Sequence, residues 1–170
     1  MKPYRMLLLP LLVLGLGACD DDATEPVLEP EPTLVEVAVA VNEETGEFST
    51  LIAALVAADL VDALAGPGPL TVFAPTDAAF AALGLDATSV AALPKEDLTN
   101  ILLYHVVSGR LRATDVLAVN QLSMLNSGTT TIGLREDVAY INDSAIIQTD
   151  VEARNGVIHV IDTVVLPAAE

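Results

Sequence analysis

Cysteine occurs once in these 170 residues and tryptophan not at all, and aromatic side chains make up 4%. A single thiol closes no intrachain disulfide and builds no metal-thiolate cage, so chemistry on a cysteine pair is excluded. Positive charge is nearly as scarce: seven Lys and Arg stand against twenty-four Asp and Glu, a formal net charge of −17. Such a field repels phosphate backbones and anionic headgroups, which argues against nucleic acid as a partner and against membrane contact through a basic patch. Long apolar runs are missing too. The longest candidate, Met6 to Leu16, is broken by Pro10 and Gly15 and falls short of the roughly 20 residues that a spanning helix needs. There is no Gly-x-Ser-x-Gly elbow for nucleophilic catalysis and no glycine-rich phosphate loop. His105 and His159 are the only histidines, and no cluster of ligands at matched spacing surrounds either, so no metal and no cofactor is expected.

What is present begins with Lys2 and Arg5, then the apolar run, then Leu16-Gly17-Ala18-Cys19. A short positive start, a short apolar stretch and small residues before a cut make residues 1–18 a signal peptide. The Leu-Gly-Ala-Cys ending resembles the bacterial lipobox. That resemblance implies lipidation of the Cys19 thiol and cleavage in front of it, leaving the protein tethered on the extracytoplasmic side of a bacterial envelope membrane. Several acyl chains, each buried CH₂ contributing about 0.8 kcal/mol, would hold it firmly. Loss of Lys2 and Arg5 with the peptide leaves five basic residues against twenty-four acids. From Asp20 to Thr33 the chain carries six acids and three prolines, so residues 19–32 read as the lipid-bearing cysteine and a solvated tether. Extended at about 3.1 Å per residue, that tether spans roughly 40 Å.

Residues 33–168 read as one domain, since 52% apolar content supplies a core. Thr33 to Val41 is apolar, and Asn42 to Glu47 has the composition of a loop. Phe48, Leu51, Ile52 and Leu55 recur at helical spacing with Ser49 placed to cap, and Leu60 to Leu64 adds a turn before Gly66-Pro67-Gly68-Pro69. Leu70 to Ala74 is a short strand ended by Pro75. Thr76 caps a second helix with Phe80 and Leu83 inward, and Leu98, Ile101 and Leu102 mark a third whose stripe extends to His105. From Val106 onward the pattern is strands: Gln121 to Leu125, Thr129 to Leu134, Val138 to Ile141, Ala145 to Thr149 and Val157 to Leu166, separated by the turn signals Asn126-Ser127-Gly128, Glu136-Asp137, Asn142-Asp143 and Asn155-Gly156. The last run is apolar on both faces and should be central. Helices early and strands late indicate an α+β fold.

Thr71-Val72-Phe73-Ala74-Pro75-Thr76-Asp77-Ala78-Ala79-Phe80 resembles the first signature of the fasciclin domain family. Asn155-Gly156-Val157-Ile158-His159-Val160-Ile161-Asp162 is similar to the second, and Leu103-Tyr104-His105-Val106 to the Tyr-His motif between them. The resemblance implies a β-wedge or sandwich flanked by helices, of the single-copy bacterial type, in a family of surface proteins that mediate adhesion. It also implies candidate binding residues: Tyr104 and His105 at the Tyr-His motif, and Asp150 and Val151 where some animal members carry an Asp-Ile pair. Against these, His105 completes an apolar helical stripe, Asp150 and Val151 could simply end a strand, and His159 alternates with buried valine and isoleucine. The expectation is a non-enzymatic, lipid-anchored binding module. Its partners would be the membrane, through Cys19, and an unidentified protein, matrix or polysaccharide; an envelope structural or chaperone-like partner and a weak hydrolase are the alternatives. No sequence feature specifies an oligomeric state.

Overall fold

A computed structural model describes residues 31–167. The signal peptide, Cys19 and most of the tether lie outside the described residues.

Thr33 starts α1 (Leu34–Thr45) with a capping box: its hydroxyl accepts from the Glu36 N–H, and the Glu36 carboxylate accepts from the Thr33 N–H at 2.7 Å. The helix runs through Asn42 to Thr45, which had the composition of a loop. Those polar residues form its solvent-facing last turn, and the stop is Gly46, in the left-handed region with φ 73°. α2 (Ser49–Ala58) has no cap from Ser49. Instead the Asp77 carboxylate, from a distant part of the chain, accepts the N–H groups of Ser49 (3.2 Å) and Thr50 (2.8 Å). α3 (Val61–Ala65) and β1 (Leu70–Pro75) follow, and Thr76 caps α4 (Asp77–Ala82) as expected. Phe80 is buried, but Leu83, expected inward, sits at the helix end 42% exposed. α5 (Ala87–Ala91) and α6 (Lys95–Leu103) complete the helical half.

The second half holds β2 (Val106–Ser108), α7 (Ala113–Leu117), β3 (Gln121–Ser123), β4 (Thr129–Arg135), β5 (Val138–Ile141), β6 (Ser144–Ala153) and β7 (Gly156–Ile161). The short α7 interrupts what the sequence presents as strands alone. Sheet order is β2-β1-β7-β6-β5-β4-β3, with β1 and β7 parallel and the other pairs antiparallel. Beyond β3, Met124 bridges Val107 and the Leu125 N–H donates to the Val106 carbonyl, so the two ends of the sheet meet and a near-barrel results. Closure removes the open strand edges that invite aggregation. The β6–β7 turn consists of Arg154 and Asn155, because Ala153 pairs with Gly156; the sequence pointed to Asn155-Gly156 one residue later.

β1 and β7 separate two cores. Phe73, Ile161 and Val107 point into the barrel with Tyr104, Met124, Ile132, Ile141 and Ile146. Val72, Ala74, Ile158 and Val160 face the helices, packing with Leu34, Leu51, Leu55, Phe80 and Leu102. Every residue of β7 is therefore buried, as expected of a central strand with an apolar surface on each side. The architecture is α+β, a near-barrel sheet flanked by helices. Among the described residues no helix is long and apolar enough to cross a membrane.

Candidate functional site

Tyr104 follows α6 directly and turns its ring into the barrel core, with 4% of its surface exposed. Its hydroxyl donates to the Thr129 carbonyl at 2.9 Å. Gly128 lies over the ring so closely that a Cβ there would stand 2.5 Å from Tyr104 Cε2. One edge of the ring still lines a surface cleft together with Asp97, Asn100, Asn126 and Leu166, and the Asn126 amide donates to Asn100 Oδ1 across it.

His105 lies past the end of α6 and is buried between the helical layer and the sheet. Its Nδ1–H donates to the Ile101 carbonyl (2.8 Å), and its Nε2 accepts from the Val165 N–H (3.1 Å). One donor and one acceptor satisfy the neutral ring and leave no place for a second proton. Burial accordingly pushes its pKa down to about 4, with the Ile101 carbonyl opposing only in part. The ring therefore joins α6 to the segment after β7.

Asp150 and Val151 lie inside β6 at a bulge, and do not end the strand. Asp150 takes up a left-handed conformation with φ 58°, which turns its carboxylate to accept the Ala113 N–H at the start of α7 (2.9 Å). Its own N–H donates to His159 Nδ1 (3.3 Å), while His159 Nε2–H donates to the Leu111 carbonyl (2.9 Å). His159 thus carries its proton on the opposite nitrogen from His105. Burial lowers its pKa, against the pull of the Leu111 carbonyl and the Asp150 charge. Val151 pairs with Ile158 and packs against the helical core. No hydrogen bond among the described residues links Tyr104 or His105 to Asp150 or Val151, so the two pairs form separate structural knots.

The remaining signature residues serve the same purpose. Thr71 Oγ1 donates to the Gly109 carbonyl and accepts from the Leu111 N–H. Buried Asn155 accepts from the Leu34 N–H and donates to the carbonyls of Leu64 and Gly66, binding α1, α3 and the β6–β7 turn together. Gly156 allows β1 and β7 to approach, since a Cβ there would stand 2.1 Å from the Leu70 carbonyl oxygen. Among the described residues, no group of three or more His, Cys, Asp or Glu could hold a metal ion.

One cleft had no counterpart in the sequence reading. It is lined by Gly66 to Pro69, Arg110, Arg154 and Asn155. The signal that could have found it is the rarity of cations: Arg110, Arg112 and Arg154 are three of the five basic residues that follow Cys19.

The fasciclin domain model matches residues 46–167. Protein sll1483 of the cyanobacterium Synechocystis sp. is 47% identical over 137 residues, covering 79% of this chain and 73% of its own length. The cell surface glycolipoprotein MPB83 of Mycobacterium bovis is 34% identical over 112 residues, covering 66% of this chain and 50% of its own. The solved FAS1 domain pair from the insect cell adhesion molecule Fasciclin I superposes with a TM-score of 0.62 at 19% identity, over 83% of this chain and 52% of that one. With the family model spanning both signatures and the fold shared despite distant sequence, the chain belongs to the fasciclin domain family.

Proposed function

We propose that this protein is a non-enzymatic binding module of the bacterial cell surface, held on the extracytoplasmic face of a membrane by lipid on Cys19. The observation that carries this reading is a pairing: a lipobox-like Leu16-Gly17-Ala18-Cys19 lies ahead of a domain related to mycobacterial cell surface glycolipoproteins. The chemistry of the domain supports the reading. Tyr104, His105, Asp150 and His159 are the polar side chains best placed for chemistry, and each is engaged with the protein's own backbone. Function then falls to the outer surface of a rigid body, as in surface domains that act by contact.

Two measurements test the reading. Cells expressing the chain should incorporate labelled palmitate into it, and Cys19→Ser should abolish the label; incorporation that survives the substitution removes the anchor. The purified full-length chain should bind cell-surface or matrix material. Recovery of one stoichiometric envelope protein from solubilised envelope, with no affinity for cells or glycans, would replace adhesion with a dedicated structural partnership.

A further inference from the structure

In so acidic a protein each cation is expected beside a carboxylate, and three of the five in the described residues are. Lys95 sits 3.2 Å from Asp59, Arg112 2.6 Å from Glu152, and Arg135 3.8 Å from Asp143. Among the described residues Arg110 and Arg154 form no ion pair, and the cleft that both line has no acid in its wall. The fold places them there. Arg110 donates through Nη2 to the carbonyls of Ala153 (2.8 Å) and of Arg154 itself (3.0 Å), so one guanidinium is pinned to the backbone of the other arginine. The Arg154 side chain makes no hydrogen bond among the described residues. Its charge reaches the Glu36 carboxylate only as the weakest influence on that group, which is already engaged with Thr33.

The rest of the lining is fixed. Asn155 is fully used on the Leu34 N–H and the Leu64 and Gly66 carbonyls, and a Cβ on Gly68 would stand 1.9 Å from the Asn155 carbonyl oxygen. The result is a preformed recess lined by two like charges, Arg110 and Arg154, together with Pro67 and Pro69.

We infer that this recess binds an acidic sugar unit, a uronate or sulfated sugar within an otherwise neutral glycan. Two arginines lining one recess supply several donors, beyond the Arg110 Nη2 already used on the backbone, for a planar carboxylate or a sulfate. The proline faces offer apolar contact to the C–H face of a pyranose. A densely charged polyanion is disfavoured by the net charge of −17, which leaves a sparsely charged chain as the fitting partner. A peptide added as a further strand is excluded, because β-augmentation needs an open sheet edge and this sheet closes on itself. The inference rests on the surface-binding reading and names a ligand class for it.

The test uses the full-length chain in mild detergent, so that any competition from Glu31, next to the Pro32 carbonyl that accepts the Arg154 N–H, is included. Calorimetry compares a neutral glucan oligosaccharide carrying one glucuronate, the uncharged parent oligosaccharide, and an N-acetylated peptide with a free C-terminal carboxylate. Binding of the first alone is expected, weakening with added salt. Arg154→Gln, which removes no hydrogen bond of the fold, should cost about tenfold or more in affinity, as loss of a charge-assisted hydrogen bond does. Arg112→Gln, on a cation already paired with Glu152, should leave affinity unchanged. Equal binding of the uncharged parent, wild-type affinity in Arg154→Gln, or equally tight arginine-dependent binding of the peptide would each overturn the inference. A chain that binds cell surfaces while Arg154→Gln binds them equally defeats this site alone. A chain that binds no surface at all defeats the reading beneath it.

Discussion

Acid should loosen this fold through His105 in a defined window. The ring is buried with its two nitrogens committed to Ile101 and Val165, and its pKa falls from 6.5 to about 4. Above pH 6.5 the ring is neutral whether the chain is folded or unfolded, and its contribution is intact. As pH falls from 6.5 towards 4, the unfolded chain takes up a proton that the folded chain refuses. Stability then drops by about 1.4 kcal/mol per pH unit, roughly 3 kcal/mol over the window, and levels off below it. His159, with its pKa lowered, acts in the same direction. Protonation of the many surface carboxylates relieves self-repulsion at the acid end and works the other way, so the total stability of the wild type is not the clean readout. The clean readout is the difference in urea-unfolding free energy between wild type and His105→Gln, followed by far-UV circular dichroism at pH 7, 5.5 and 4.5. Wild type should lose ground on the variant steadily as pH falls. Should the variant fail to fold, the His105 ring can be titrated by NMR in the wild type, where no midpoint should appear above pH 5. A difference that does not change with pH, or a His105 midpoint near 6.5, would refute the burial argument.

Other consequences follow from single contacts. Asp77→Ala removes the carboxylate that accepts from Ser49 and Thr50, and should cost about 1 kcal/mol, as loss of an N-cap does, measured by urea denaturation. Gly156→Ala forces a Cβ against the Leu70 carbonyl where β1 meets β7 and should cost about 1–3 kcal/mol or more, whereas Gly133, with open space around it, should accept alanine at far smaller cost. Thr130 buries a hydroxyl with no partner among the described residues. Thr130→Val should therefore raise the melting temperature, by up to about 1 kcal/mol of stability, and a clear loss would mean that the hydroxyl is satisfied.

Much of this molecule was legible because its strongest sequence signals are local. Thr76 before a helix, Pro75 as the last residue of a strand and the turn pairs Glu136-Asp137 and Asn142-Asp143 all act within a few residues, and each marks a boundary of its element. The doubly apolar run from Val157 is buried on both faces for the reason its pattern gives as far as Ile161, where β7 ends, whereas Leu166, read as part of the same strand, lies outside it and is exposed. The misreadings came from contacts made across the chain. Ser49 looked like a cap because the true partner, the Asp77 carboxylate, lies 28 residues away in sequence. Asn42 to Thr45 looked like a loop because an exposed helical turn has the same polarity as one. Tyr104, His105, Asp150 and His159 were visible as notable residues, but their hydrogen bonds bind segments that only the fold brings together. The Arg110–Arg154 recess depends on the β6–β7 turn meeting the segment after β2, so spacing along the chain carried no sign of it.

The most direct test of the surface-binding account is to anchor the mature, lipidated chain in vesicles on a support and count the cells of its own organism retained under flow. The account predicts saturable retention above that of bare vesicles, lost when the anchored chain is heat-unfolded. Retention no greater than on bare vesicles, with the chain folded and present at the surface, would contradict it.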